Sequence, residues 1–222
     1  MPKTKPNHEI EIKLRVADPQ ELRLRLKRLR AKEIIPRTFE SNTLYDTTSR
    51  DLKRRGQIMR IRIERPVSWG RQNRREPTSS ALLTYKGPAP SLGGPKRSRS
   101  KASDRGRFKI MDEVEVAVDR ADRMMRILRA LGLGPVFRYE KYRTTYAIPG
   151  LRGLNVEFDE TPIGLFLELE GDPASIDRAA RLLGYSRSDY LTESYGALYL
   201  AECRRTRRRP SDMLFRATKK LR

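Results

Sequence analysis

The chain is predicted to be an α+β protein: an eight-stranded antiparallel β-barrel rolled into a tunnel, with flanking helices. Three observations predict it. Eight segments alternate apolar and polar residues with a period of two, the pattern of strands with one apolar face. Four others carry apolar residues at helical spacing, three of them behind a capping residue. Strand after strand also carries same-sign charge pairs at i and i+2, which a water-facing sheet has no use for.

The elements follow in order. His8 to Val16 sets Ile10, Ile12, Leu14 and Val16 opposite Glu9, Glu11, Lys13 and Arg15. Asp18-Pro19-Gln20-Glu21 then supplies an N-cap, a proline at the first helical position and an acid in the first turn, so Pro19 to about Lys32 is predicted helical. Strands are expected at Phe39 to Tyr45, at Gln57 to Arg65 and at Leu82 to Lys86, closed by Gly87-Pro88. Pro66 to Ser80 is a polar connection holding the lone tryptophan, Trp69. Val114, Val116 and Val118 oppose Glu113 and Glu115 in the next strand. Asp119 is expected to cap a helix carrying Met124, Ile127, Leu128 and Leu131, stopped by Gly132. Arg138 to Ala147, Leu154 to Asp159 and Leu165 to Glu170 complete the strands. Asp172-Pro173 opens a helix ended by Gly184, and a last helix is predicted from about Ser188 to Cys203.

The charge pairs carry the functional argument. Glu9/Glu11, Glu113/Glu115, Glu157/Asp159 and Glu168/Glu170 are acidic; Arg60/Arg62 and Lys141/Arg143 are basic, with Lys13 and Lys86 added. Side chains two apart on a strand lie about 7 Å from each other on one face. A sheet rolled so that these faces meet across a channel, with apolar faces outward against the helices, gives each charge a counter-charge. About eight strands close such a barrel. Basic strands then suit an anionic ligand and acidic strands a divalent cation, so a triphosphate with Mg²⁺ or Mn²⁺ satisfies both.

Lys plus Arg number 49 against 28 Asp plus Glu, a formal balance of +21. Residues 88–109 carry +6 and residues 204–222 carry +8, so most of the excess sits in two stretches. The first is read as a flexible basic loop and the second as a disordered basic tail outside a 1–203 domain. Both invite loose contact with RNA, polyphosphate or acidic lipid. No apolar run is long enough to span a membrane and no secretory leader is evident, so a cytoplasmic location is expected. One cysteine, Cys203, excludes an internal disulfide. His8, the lone histidine, falls on the apolar side of its strand.

These segments resemble the CYTH domain, the triphosphate tunnel metalloenzymes. His8-Glu9-Ile10-Glu11-Ile12-Lys13 is similar to the family's ExExK; Asn42-Thr43-Leu44-Tyr45-Asp46-Thr47 to its NxYFDT; Met59-Arg60-Ile61-Arg62 to LRxR; and Leu83-Thr84-Tyr85-Lys86-Gly87-Pro88 to LTxKGP. Glu113-Val114-Glu115, Lys141-Tyr142-Arg143, Phe158-Asp159 with Ile163 to Gly171, and Ser194-Tyr195 with Leu198 continue the likeness over residues 8–202. The resemblance implies an eight-stranded tunnel in which a triphosphate is hydrolysed or cyclised. It implies metal ligands at Glu9, Glu11, Asp159, Glu168 and Glu170. It implies phosphate-binding cations at Lys13, Arg60, Arg62, Lys86, Lys141 and Arg143, and a second metal or a positioned attacking group at Glu113 and Glu115.

The expected activity is a metal-dependent triphosphatase acting on inorganic tripolyphosphate or a related organic triphosphate. The alternatives are a class IV adenylate cyclase and a non-catalytic polyphosphate or RNA binder. Cyclisation needs a base pocket, for which Phe39, Tyr45 and Tyr85 are the candidate stacking residues. Expected partners are the triphosphate itself and weak polyanion contacts at the loop and tail, with a homodimer left open.

Overall fold

The structure, a computed structural model, describes residues 8–67, 80–89 and 106–216. Trp69 and most of the basic loop lie outside the described residues. Eight strands are present: β1 (His8–Val16), β2 (Lys32–Asp46), β3 (Ile58–Pro66), β4 (Ser80–Pro88), β5 (Lys109–Ala117), β6 (Gly134–Ala147), β7 (Asn155–Thr161) and β8 (Gly164–Glu170). They close into one antiparallel barrel in the order β1-β5-β4-β3-β2-β6-β7-β8. β1 is the closing strand, pairing with β5 through Glu11↔Lys109 and with β8 through Lys13↔Glu168.

Alternation decides what each face meets. Ile12, Leu14, Val156, Leu167 and Leu169 point outward and are fully buried beneath α1 (Pro19–Arg28) and α4 (Pro173–Leu182). Burying side chains of this size contributes about 1.5–3 kcal/mol each. α1 starts where Asp18 accepts hydrogen bonds from the backbone N–H groups of Gln20 and Glu21, and Asp172 caps α4 through Ala174 and Ser175. Gly171 follows β8 at a close crossing, where a Cβ would lie 2.8 Å from the Gly153 carbonyl oxygen.

The structure differs from the sequence reading at several ends. α1 stops at Arg28, and Lys32 already belongs to β2, which is far longer than Phe39 to Tyr45 and is bulged along its pairing with β6. A short helix not anticipated, α2 (Asp51–Arg54), is organised by Asp46, whose carboxylate accepts from the N–H groups of Thr47, Leu52 and Lys53. α3 (Ala121–Ala130) is preceded by Arg120 and has no side-chain cap, so Asp119 does not play the expected part. The last helix begins later: a 3-10 turn (Arg187–Asp189) comes first, then α5 (Tyr195–Arg205), with Ser194 accepting from Ala197 N–H.

Two larger corrections concern the outside. β5 is not fully covered: Val114 and Val116 remain 46% and 50% exposed. The tail does not begin at 204 either. Arg204 and Arg205 finish α5, and residues 206–216 run back against β6. Met213 bonds the Arg138 carbonyl through its N–H and accepts from Glu140 N–H, and its side chain is 1% exposed.

Candidate active site: a charged tunnel

The barrel interior is lined by the faces carrying the charge pairs. Ten carboxylates (Glu9, Glu11, Glu40, Glu64, Glu113, Glu115, Glu157, Asp159, Glu168, Glu170) share it with seven cations (Lys13, Arg60, Arg62, Lys86, Lys109, Lys141, Arg143), counted among the described residues. The interior therefore carries an excess of three negative charges when all are ionised, inside a chain whose total is +21. A cavity of about 90 Å³ remains, lined by all seven cations, by Glu9, Glu11 and Glu168, and by Leu44, Ile58, Tyr139 and Tyr195.

One wall is densely paired. Asp159, 0% exposed, accepts from Lys141 Nζ at 3.0 Å, from Arg143 Nε at 2.7 Å and from the Tyr195 hydroxyl at 2.6 Å. Arg143 also binds Glu157 and Glu168. Lys13 bridges Glu11 and Glu168 at 2.9 Å each. Glu40 lies 3.4 Å from Arg62 Nε, 3.5 Å from Lys141 and 3.7 Å from Arg143.

The other wall is looser. Lys86 donates to Glu9 at 2.6 Å and lies 3.2 Å from Glu113, and Lys109 donates to Glu11 at 2.6 Å. Arg60 donates to Thr84 at 3.2 Å, Thr84 donates to Glu115 at 2.7 Å, and a second Arg60 N–H reaches the Tyr139 hydroxyl at 3.3 Å. Glu170 has no ion pair among the described residues.

Protonation follows this division. Burial, then the neighbouring Glu11 and Glu113 charges, raises the Glu9 carboxyl to about 7 despite Lys86. Burial, with Glu11, Glu113 and Glu168 adding, also raises Glu170 against the pull of Lys86. Glu157 rises to about 8 through burial and Glu168, against the pull of Arg143. Burial opposes ionisation of Glu11, but Lys13 and Lys109 outweigh it and hold that carboxyl below the usual range. In the same way Lys141, Arg62 and Arg143 hold Glu40 down to about 2 against its burial.

All the site residues singled out from sequence thus face one lumen, and the structure divides them by company. Asp159 and Glu168 are committed to Lys141, Arg143, Lys13 and Tyr195, whereas Glu9, Glu11, Glu113 and Glu170 press on one another. Among the described residues no three acidic, histidine or cysteine side chains converge to ligating distance as they stand. The chemistry of the set nonetheless suits a hard cation: the donors are carboxylate oxygens, and burial and neighbouring carboxylates disfavour Glu9 and Glu170 as anions despite Lys86.

Sequence reasoning missed several lumen residues. Glu40 lacked an acidic neighbour at i±2, the signal used for the others. Lys109 was assigned to the basic loop, although it alternates in phase with Glu113 and Glu115. Tyr139 sits two residues before Lys141, and its phase gave it away. Tyr195 reaches the lumen from a helix, which strand alternation cannot find. The proposed stacking residues face outward: Phe39 packs on Tyr142, Tyr45 is buried with Ile61 and Leu128, and Tyr85 has the phase opposite to Thr84 and Lys86.

The comparison with known proteins agrees with this geometry. The CYTH domain model matches residues 7–195. The chain belongs to the CYTH family. A Methanocaldococcus jannaschii protein named "Putative adenylate cyclase" is 26% identical over 176 residues, covering 79% of this chain and 83% of its own. Among solved CYTH-like folds, a protein described as a putative adenylate cyclase from Vibrio parahaemolyticus superposes with a TM-score of 0.65 at 18% identity, covering 87% of this chain and 98% of that one. A Hippeastrum protein, described as a putative adenylyl cyclase that "reveals a dominant" triphosphatase activity, gives 0.53 at 18% identity, covering 87% and 96%. At these identities the solved structures establish the tunnel fold.

Proposed function

We propose that this CYTH protein is a divalent-metal-dependent triphosphatase that hydrolyses inorganic tripolyphosphate or a related organic triphosphate within the tunnel. The observation that carries the reading is the charge imbalance of the lumen. Ten lumen carboxylates face seven cations, and burial and mutual repulsion raise the pKa of Glu9, Glu157 and Glu170, so the tunnel sheds part of its surplus negative charge by protonation; a polyanion carrying a divalent cation is instead matched by both sets of side chains.

Lys86, Lys109, Arg60 and Arg62 face the cavity and bind phosphoryl oxygens, exchanging protein carboxylates for ligand oxygens of the same charge. Lys141 and Arg143 extend this cation wall, and Asp159 and Tyr195 hold them in place. Glu9, Glu11 and Glu170, with Glu113 beside them, are the residues that would hold Mg²⁺ or Mn²⁺. Asp159 and Glu168, which family resemblance adds to that set, serve first as counter-ions. The bound cation supplies charge compensation and a water of lowered pKa. Glu115, fixed by Thr84, is placed to orient or accept a proton from the attacking water.

Two features support hydrolysis over cyclisation. The aromatic side chains that reach the lumen, Tyr139 and Tyr195, are already engaged by Arg60 and Asp159, and the three candidate stacking residues point away. The cyclase name of the Methanocaldococcus jannaschii relative keeps the second reading in view.

A panel of triphosphates with Mg²⁺, Mn²⁺ and a chelator, scored for product type, tests the proposal. Orthophosphate released from tripolyphosphate, and lost on chelation, is the expected result. Pyrophosphate and cyclic AMP from ATP, with tripolyphosphate left intact, would establish the cyclase. Tight tripolyphosphate binding without turnover would leave a binding module. Glu11→Gln is expected to lower metal-dependent turnover by ~10²-fold or more with the fold retained; a rate within about twofold of the parent removes Glu11 from the metal set.

A further inference from the structure

β7 and β8 are seven residues each, whereas β2 and β6 have fifteen and fourteen. β7 pairs only with the second half of β6, Tyr142 to Tyr146, so β6 residues 137–141 would present a bare edge on that side. The chain after α5 fills it. Met213 makes both main-chain hydrogen bonds of a parallel bridge opposite Tyr139. Asp212 accepts from the N–H and the guanidinium Nε of Arg138 at 2.9 and 2.8 Å. Phe215 donates its N–H to Glu140 and packs on Tyr142. Tyr199 on α5 ties the same segment through Ser211.

The Met213 side chain is buried in a cluster with Tyr139, Phe166, Tyr195 and Leu198. Two members of that cluster end in the lumen: the Tyr139 hydroxyl meets Arg60, and the Tyr195 hydroxyl meets Asp159, which holds Lys141 and Arg143. We infer that residues 211–215 form a strap belonging to the active tunnel, in which Met213 is a positioning residue that sets Tyr139 and Tyr195 and through them Arg60 and Asp159. This rests on the triphosphatase reading and adds to it a part of the chain beyond the matched family segment, which ends at residue 195. It also means that removing residues 204–222 would not be a test of tail charge, because it removes the end of α5 and the strap with it.

The test uses full-length variants. Met213→Ala opens space behind both tyrosines and is expected to lower kcat about tenfold with a smaller change in KM, since displaced cations act mainly on the transition state. Met213→Leu, of similar volume, is expected to restore most of the rate. In a background carrying both Tyr139→Phe and Tyr195→Phe, where the hydroxyl contacts to Arg60 and Asp159 are already lost, the Met213→Ala effect on kcat should shrink to about twofold. Lys219→Gln with Lys220→Gln, which alters charge beyond the strap, should leave kcat unchanged. Met213→Ala lowering Tm while sparing kcat, or combining additively with the Tyr139→Phe and Tyr195→Phe pair, would overturn the positioning role.

Fluorotyrosine labelling reads the strap without turnover. Met213→Ala should shift the resonances identified by Tyr139→Phe and Tyr195→Phe, and unshifted resonances would overturn the proposal. A parent protein inert toward every triphosphate, with those resonances still shifting, removes the triphosphatase reading and leaves the strap's hold on the two tyrosines standing.

Discussion

Glu170 and Glu40 are both lumen carboxylates, yet their neighbours set them apart. Glu170 is disfavoured as an anion by burial and is repelled by Glu11, Glu113 and Glu168; Lys86 attracts it but makes no ion pair with it. Glu170→Gln is therefore expected to stabilise the metal-free protein by about 0.5–2 kcal/mol in a denaturant titration while raising the Mg²⁺ or Mn²⁺ concentration needed for half-maximal rate. No gain in stability would mean that the repulsion is relieved by solvent. Glu40 is the opposite case. Its folded pKa of about 2 lies below the ordinary glutamate value of 4.5, so its contribution is complete above pH 4.5 and is lost as pH falls through 2. Glu40→Gln, which removes a counter-charge shared by Arg62, Lys141 and Arg143, should cost about 1–3 kcal/mol at pH 6. Measured by urea unfolding, that difference should narrow steadily between pH 5 and pH 2.

At the level of elements, legibility followed periodicity. β1, β7 and β8 were readable because each alternates cleanly between a packed outer face and a charged inner one. The ends of β2 were not, because its bulges at Glu33 to Thr38 break the period of two. α5 was placed too early because the Asp189 capping box resembles a helix start but opens a single 3-10 turn. Residues 206–216 were misread because arginine dominates their composition, although Met213, Leu214 and Phe215 marked a segment able to pack. The packing of α5 on the barrel gives an element-scale prediction. Phe166, fully buried edge-on against Tyr195, should cost about 3–5 kcal/mol as Phe166→Ala in thermal or chemical unfolding.

For the whole molecule, the segregation of charge matters more than its sum. The lumen is negative and the remainder of the chain is strongly positive, so a triphosphate is drawn toward the protein at long range and is accepted inside only when its charge has been partly neutralised. Raising ionic strength from about 0.05 to about 0.5 M is expected to raise KM for a triphosphate severalfold with little change in kcat, because screening weakens approach more than buried contacts. Equal losses in kcat and KM dependence would place the salt effect inside the tunnel instead. The charge pairs made this interior legible from sequence; the sign of its balance was not, since Glu40, Glu64 and Lys109 had to be located before the count could be made.

The placement of β1 between β5 and β8 has a consequence for how the protein is made. The strand carrying Glu9, Glu11 and Lys13 is synthesised well before its partners, which lie about a hundred and then more than a hundred and fifty residues downstream. Ring closure must wait for late synthesis, which favours slow folding of high contact order. Until then β1 is an unpaired ribbon whose alternating Glu, Lys and Arg side chains guard it against premature association with other chains.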